Sequence, residues 1–128
     1  HDCGNVINPM VVQGQVEGGV AHGVGNALFE RMLYDGNAQP LNVNLGEYLL
    51  PGSTDVPHVE LHHMETPSPL NPIGVKGAGE GGTIPAIAAI IAAIESALSP
   101  FGVKISECPV SPSRLVELIQ AGAKRKAG

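Results

Sequence analysis

The most constraining feature of the sequence is an almost uninterrupted apolar stretch between residues 84 and 94. Isoleucine and alanine fill nearly all of it, Thr83 precedes it, and Ser99 and Pro100 follow it. This pattern predicts a helix from Thr83, as its N-cap, to about residue 98. A helix that is apolar on every side is buried. In a chain of 128 residues with 3% aromatics, such burial requires material that the chain does not contain, so we expect an incomplete domain.

Two further helices are predicted on either side of this one. Asn8 can cap a helix, and Pro9 suits the first helical position, so a helix should run from residue 10 to about residue 33. Ser111 and Pro112 should open a third helix that ends near Ala121. These helices carry apolar side chains at helical spacing.

The segments between the helices are expected to be extended or irregular. Residues 35–37 form a predicted turn and residues 41–50 an extended segment. Residues 56–65 alternate in character, which indicates a strand, and residues 66–82 are rich in proline and glycine. The predicted fold class is therefore α+β with short mixed strands, in a single domain spanning residues 1–128.

Charge and cysteine content exclude several classes of function. The formal net charge is -5, and no basic stripe precedes the short tail at residues 124–126, which argues against nucleic acid as a partner. That tail is interpreted as a solvated, frayed end. The apolar stretch is broken by Pro85 and too short to cross a bilayer. Cys3 and Cys108 form no Cys-x-x-Cys pair, so we expect a reducing, cytoplasmic compartment, with a disulfide between them left open.

Glycines occur in the first predicted helix, where each costs about 1 kcal/mol relative to alanine. They are Gly14, Gly18, Gly19, Gly23 and Gly25. Either a neighbouring element approaches closely, or the backbone lies against a large cofactor that the glutamine side chains there hydrogen-bond. A dinucleotide fingerprint is not present, because the glycines lie inside a helix and not after a strand.

A second glycine-rich segment, residues 74–83, contains a single carboxylate, Glu80. It is not a phosphate-binding loop, because Lys76 precedes a glycine and no Gly-Lys-Ser/Thr occurs. Glycines would let a ligand reach Glu80. The adjacent helix start would favour its anionic form and burial would oppose ionisation, a combination that suits a general base. A simple surface carboxylate is the alternative.

Other polar residues have ordinary interpretations. The adjacent side chains of residues 1–3 cannot easily converge on a metal, and His62 and His63 should point to opposite faces of the predicted strand. Lys76 is expected to be solvated, with positioning of the Glu80 loop or contact with the substrate as the alternatives. Arg114 is expected to form an ion pair on a helix surface.

Four motifs occur in a particular order along the chain, and together they are far more specific than any one alone. They are Asp2-Cys3-Gly4-Asn5-Val6-Ile7-Asn8-Pro9, Gly14-Gln15-Val16-Glu17-Gly18-Gly19, Gly74-Val75-Lys76-Gly77-Ala78-Gly79-Glu80 and Cys108-Pro109-Val110-Ser111-Pro112-Ser113-Arg114. In this order they resemble the C-terminal part of the molybdenum-binding large subunit of the xanthine oxidase family. That family includes xanthine dehydrogenase, aldehyde oxidoreductase, bacterial N-heterocycle hydroxylases and aerobic carbon monoxide dehydrogenase.

The resemblance implies roles for individual residues of a partial molybdopterin-binding domain. Glu80 stands at the position of the catalytic glutamate, which takes a proton from a molybdenum-bound hydroxide as its oxygen attacks an electrophilic carbon. Gln15 matches a glutamine that hydrogen-bonds the cofactor, and Gly14 and Gly79 would lie against it. The pterin sulfurs hold the molybdenum in this family, so no protein metal ligand is implied.

The resemblance also implies cofactors and partners. The cofactor would be molybdenum–molybdopterin, with the cytosine dinucleotide form as one option, and the substrate an aldehyde, an N-heterocycle or carbon monoxide, oxidised with oxygen derived from water. Iron–sulfur clusters and FAD would sit on partner domains or subunits, beside the remainder of the molybdenum subunit, in an oligomer. The isolated chain should be inactive. A non-catalytic scaffold or degenerate fragment is the alternative, and a nucleotide-binding protein a weaker one.

Overall fold

A computed structural model describes the backbone of residues 1–127 and the side chains of residues 1–124. Three α-helices are joined by long irregular segments: α1 spans Pro9–Leu28, α2 spans Thr83–Ala97 and α3 spans Pro112–Ala127. A short 3-10 helix, Ser99–Phe101, follows α2. No helix within residues 1–127 is long and apolar enough to cross a membrane.

Helix α1 begins as the sequence predicts and ends earlier. The Asn8 side chain accepts a hydrogen bond from the Val11 amide at 3.2 Å, and Pro9 occupies the first turn. The predicted continuation to residue 33 is wrong. Buried Asn42 reaches back and accepts a bond from the Leu33 amide at 2.8 Å, while its own amide group donates to the Arg31 carbonyl. This cross-link stabilises residues 31–33 in a non-helical conformation.

Helix α2 has the predicted extent, but Thr83 does not cap it. Gly82 occupies the cap position without a side-chain bond, and Thr83 is the first helical residue. The carbonyl oxygen of Glu80 instead accepts bonds from the Thr83 and Ile84 amides, both at 3.1 Å. Backbone groups therefore satisfy the orphan donors at this helix start.

The outer side of α2 remains uncovered by the described part of the chain. Ala86 is its only buried residue, and Ile84 is 72% exposed. The helix nevertheless packs against α1 along one side. Its composition is that of a helix buried on all sides, while residues 1–124 provide cover for one side.

The predicted strands are not present, so the α+β expectation is wrong in its β part. Residues 1–127 contain isolated bridges in place of strands: Asp2 with Met64, Gly4 with Val75, and Tyr34 with Pro40. A strand needs a continuous hydrogen-bonded neighbour. The segment 56–65 bonds to the first residue of the chain near its own end: the Met64 amide donates to the His1 carbonyl at 2.8 Å, and the His1 amino group donates to the His62 carbonyl at 3.1 Å. Residues 44–48 form a turn rather than an extended segment.

Helix α3 starts at the predicted position and runs beyond the predicted end at Ala121. The Ser111 hydroxyl accepts a bond from the Arg114 amide at 3.3 Å. Arg114 pairs with Glu107 and with Glu117, each at 3.1 Å, which confirms its predicted ion pairing. The helix continues through Gly122, where a Cβ would meet the Phe101 carbonyl oxygen, and into alanine and lysine, which are good helix formers. The side chains of residues 125 and 126, part of the tail interpreted as solvated, lie outside the described residues.

The two cysteines are separate free thiols. Cys3 is buried near the start of the chain, and Cys108 is exposed before α3. The disulfide that the sequence left open is therefore not formed.

Candidate functional site

The helix crossing between α1 and α2 accounts for one group of the α1 glycines. A Cβ atom on Gly19 would lie 2.8 Å from the Thr83 amide nitrogen, and one on Gly23 would meet the Ala86 methyl group. At the cap position of α2, a Cβ on Gly82 would meet the Val16 carbonyl oxygen. Close approach of a neighbouring helix therefore explains these positions, without any cofactor.

The glycines in the first half of α1 have no such explanation. A Cβ on Gly14 or Gly18 would meet nothing within 4 Å. Both residues and Gln15 are exposed, and the i, i+4 spacing of the two glycines puts them on one side of the helix. The Gln15 side chain has no hydrogen-bond partner among residues 1–124, whereas Gln13 donates to Glu17 at 2.8 Å. We call Gly14, Gln15 and Gly18 the open glycine face.

The segment 77–80, here called the Glu80 loop, is similarly open. A Cβ on Gly77 or Gly79 would meet nothing within 4 Å. Glu80 is exposed, so the burial considered for it is not provided by this chain. Its carboxylate has no hydrogen-bond or ion-pair partner in the described residues, although its carbonyl oxygen closes the first turn of α2. The carboxylate is therefore accessible to a ligand.

The open glycine face and the Glu80 loop each adjoin the contact at the helix crossing. Gly82 lies two residues after Glu80, and it packs on the carbonyl of Val16, which directly follows Gln15. The Gln15 amide and the Glu80 carboxylate, neither with a partner among residues 1–124, therefore belong to residues within two positions of this contact, and glycines adjoin both. Such an arrangement leaves room for a bulky ligand that contacts backbone and receives a hydrogen bond from Gln15.

The segment before the Glu80 loop is fixed to the start of the chain by two glycines in contact and by Asn5. Gly4 and Gly74 both have positive φ, at 67° and 66°. The Asn5 amide donates to the Gly74 carbonyl at 3.1 Å, and its side chain donates to the Ile73 carbonyl at 2.7 Å. Sequence reasoning missed this interlock, although Gly4 and Gly74 lie in two of the motifs it singled out.

Asp2 adds an ionic connection to the same junction. Its carboxylate accepts bonds from the Gly4 amide at 2.9 Å and the Thr66 amide at 3.2 Å, and it pairs with the Lys76 ammonium at 3.2 Å. Lys76 is exposed, as expected, with 38% of its side chain accessible, and it also has this ion-pair partner. The Gly4 amide, then Thr66 and then Lys76 hold the pKa of the Asp2 carboxyl well below its ordinary range, because all of them stabilise the charged form.

A cavity of about 630 Å³ lies between α1, α2 and the segment 57–63. Its lining is mostly apolar, from Val16, Val20 and Ile90 among others, and His62 and His63 both line it. The two histidines therefore do not follow the alternation of the predicted strand. Within the described residues, no group of three His, Cys, Asp or Glu side chains is arranged to hold a metal ion.

Comparison with known proteins gives concordant results. Residues 1–57 match the family model of a molybdopterin cofactor-binding domain. The nicotine 6-hydroxylase large subunit of Paenarthrobacter nicotinovorans is 44% identical over 115 residues, 90% of this chain and 14% of that subunit. The carbon monoxide dehydrogenase large chain of Hydrogenophaga pseudoflava is 37% identical over 114 residues, 89% of this chain and 14% of that one.

A solved structure agrees with the sequence relatives. Quinoline 2-oxidoreductase from Pseudomonas putida 86 superposes with a TM-score of 0.90 at 45% identity, over 93% of this chain and 15% of that chain. The chain therefore spans about one-seventh of the length of the relatives it matches.

Proposed function

This chain belongs to the xanthine oxidase family of molybdenum enzymes, and we propose that residues 1–128 are the C-terminal segment of its molybdopterin-binding domain, working within an oxidoreductase complex. The observation that carries this function is the Glu80 loop beside the helix crossing, where the carboxylate is exposed and has no partner among residues 1–124. Relatives that are molybdenum-binding subunits support the same assignment.

Glu80 is the general base in this proposal. Its carboxylate accepts the proton released as a water-derived oxygen attacks the substrate carbon, and general-base groups of this kind contribute about 10²–10⁴-fold to rate. The absence of a partner among residues 1–124 leaves both carboxylate oxygens available. When bound, molybdenum–molybdopterin supplies the two-electron oxidation, and the protein supplies orientation and proton transfer.

Gln15, Gly14 and Gly79 would hold the cofactor. The Gln15 side-chain amide donates a hydrogen bond to it, and the two glycines admit it to backbone contact because no Cβ stands in the way. The residues fit a bulky pterin, since a Cβ at Gly14 or Gly79 would meet nothing within 4 Å. In this proposal the fold leaves these surfaces open for the cofactor.

For the substrate, we favour an N-heterocycle over an aldehyde or carbon monoxide. Nicotine and quinoline, named in the relatives at 44% and 45% identity, are both N-heterocycles, whereas the carbon monoxide dehydrogenase chain is 37% identical. The remainder of the molybdenum subunit, iron–sulfur and flavin subunits with FAD, and a cytosine dinucleotide form of the cofactor complete the proposed assembly.

The reaction class is tested by the source of the oxygen atom. The protein is purified from its native source with its partner chains, its molybdenum content is measured, and N-heterocycles are oxidised in H₂¹⁸O. We expect near-stoichiometric molybdenum and ¹⁸O in the hydroxylated product. Label entering from ¹⁸O₂ instead would rule out this chemistry, and a protein without molybdenum and without activity would favour a non-catalytic scaffold.

A substitution at Gly14, on the open glycine face, should affect the stability of α1 and the binding of the cofactor in opposite directions. Gly14→Ala should stabilise α1 by about 1 kcal/mol, because alanine is the better helix former and nothing obstructs its methyl group. In the assembled protein, the same methyl group should lower molybdenum content, because it stands where the cofactor meets the backbone. Thermal unfolding and metal analysis measure the two effects. Ser96→Ala, an exposed change in α2, is the control; normal molybdenum content in Gly14→Ala would contradict the contact.

A further inference from the structure

We propose that Asp2 and Lys76 form a positioning pair that fixes the start of the Glu80 loop and so orients the Glu80 carboxylate. This inference rests on the proposed role of Glu80 as the base. The pair joins residues that are far apart in sequence, with Lys76 Nζ 3.2 Å from Asp2 Oδ2. Neither residue needs to touch the cofactor or the substrate for this role.

Asp2 joins three segments of the chain at one carboxylate. One oxygen, Oδ1, accepts from the Gly4 amide at 2.9 Å and from the Thr66 amide at 3.2 Å. The other oxygen binds Lys76. The Lys76 amide also donates to the Cys3 carbonyl at 2.7 Å. Backbone and side chain of Lys76 are therefore both held by the first residues of the chain.

The Glu80 loop has few other restraints of its own. Gly77 and Gly79 have open surroundings and glycine backbones are permissive. Its other hydrogen bonds lie toward its C-terminal end, where the Gly81 amide donates to the Ala78 carbonyl at 3.4 Å and the Glu80 carbonyl closes the first turn of α2. The loop is thus held by Lys76 at one end and by the start of α2 at the other, and a shift at either end would redirect Glu80. Catalytic geometry tolerates little displacement, since a misplacement of about 1 Å can cost about 10²-fold in rate.

The Asp2–Lys76 ion pair should position the Glu80 loop and contribute little to the global stability of the protein. The side chains of Lys76 and Asp2 are 38% and 27% exposed, and ion pairs at this exposure contribute little to global stability. The amides of Gly4 and Thr66 and the Lys76 ammonium keep the pKa of Asp2 well below its ordinary range, so its charge is constant across neutral pH. We therefore expect local effects on the loop.

The test uses the assembled, cofactor-loaded protein and three variants. Lys76→Met removes the charge at similar length, Lys76→Arg retains it, and Asp2→Asn removes the partner. Lys104→Met is the matched control, because it breaks another exposed pair, Lys104 with Glu95 at 3.7 Å. Molybdenum content, kcat, KM and hydrogen exchange of the two hydrogen-bonded amides that flank the loop, those of residues 76 and 81, are measured for each.

In Lys76→Met and Asp2→Asn, we expect exchange of the amides at residues 76 and 81 to quicken and kcat to fall by about 10–100-fold, with KM and molybdenum content close to wild type. Lys76→Arg should restore most of kcat, and Lys104→Met should leave every readout unchanged. The double variant of Asp2 and Lys76 should be no worse than either single one, because both remove one interaction.

Three results would overturn the inference, and each differs from failure of the proposed function. They are wild-type exchange and kcat in Lys76→Met, loss of kcat in Lys76→Met without loss in Asp2→Asn, and loss of molybdenum in either variant. Failure of the proposed function would instead appear as full activity in Glu80→Gln, whatever the behaviour of Lys76.

Discussion

In the assembled protein, Glu80→Gln should lower kcat by about 10²–10⁴-fold, the usual contribution of a general base. The amide is similar in shape to the carboxylate but cannot accept the proton. The variant should fold normally, because the Glu80 carboxylate has no partner in the described residues and its backbone carbonyl still closes the first turn of α2. Steady-state kinetics with an oxidisable N-heterocycle measure the loss.

The molybdenum content of Glu80→Gln shows whether a loss of kcat comes from the missing base or from a failure to bind the cofactor. Molybdenum content in Glu80→Gln should equal that of the wild type, and Glu80→Asp should retain part of the activity with a displaced base. Glu47→Gln is the matched control, since Glu47 is an exposed carboxylate in the turn at residues 44–48 and should behave like the wild type. Full activity of Glu80→Gln with normal molybdenum would remove Glu80 from the mechanism.

Local sequence signals predicted where the helices begin, because those signals act over a few residues. The cap at Asn8 and the start at Ser111 depend on side chains within one helical turn of the groups they bind, and such bonds are encoded locally. Where α1 ends was not encoded in this way. It depends on Asn42, a buried side chain that binds residues nine and eleven positions earlier.

The strand at residues 56–65 was predicted from alternation, which describes side chains and not backbone partners. In residues 1–127 the segment has contact with the chain start at one end, and the ladder that a strand requires is missing. For the site, the glycine pattern and the motifs indicated Gln15 and Glu80. The pairing of Asp2 with Lys76, 74 positions apart, could not be deduced from spacing, because oppositely charged residues at that separation have many alternative partners.

The largest expected effect on stability comes from Gly4→Ala, at about 2–5 kcal/mol. Gly4 has φ of 67°, a left-handed conformation that costs an ordinary L-residue about 1–2 kcal/mol. Its Cβ would also meet the Gly74 carbonyl oxygen, a backbone atom, and overpacking of this kind adds about 1–3 kcal/mol. Urea unfolding of the purified protein measures the loss in the free energy of unfolding. The Asn5 amide donates to the Gly74 carbonyl at 3.1 Å, so hydrogen exchange at Asn5 measures the local loss at this junction.

Gly102→Ala isolates the conformational part of this effect. Gly102 has nearly the same φ, 65°, but a Cβ there would meet nothing within 4 Å, so we expect a loss of about 1–2 kcal/mol. The excess in Gly4→Ala over Gly102→Ala then measures the contact between Gly4 and Gly74. Equal losses would mean that the two segments are not interlocked in solution. A clear excess, with faster exchange of the amides at residues 76 and 81, would mean that the junction at Gly4 holds the Glu80 loop.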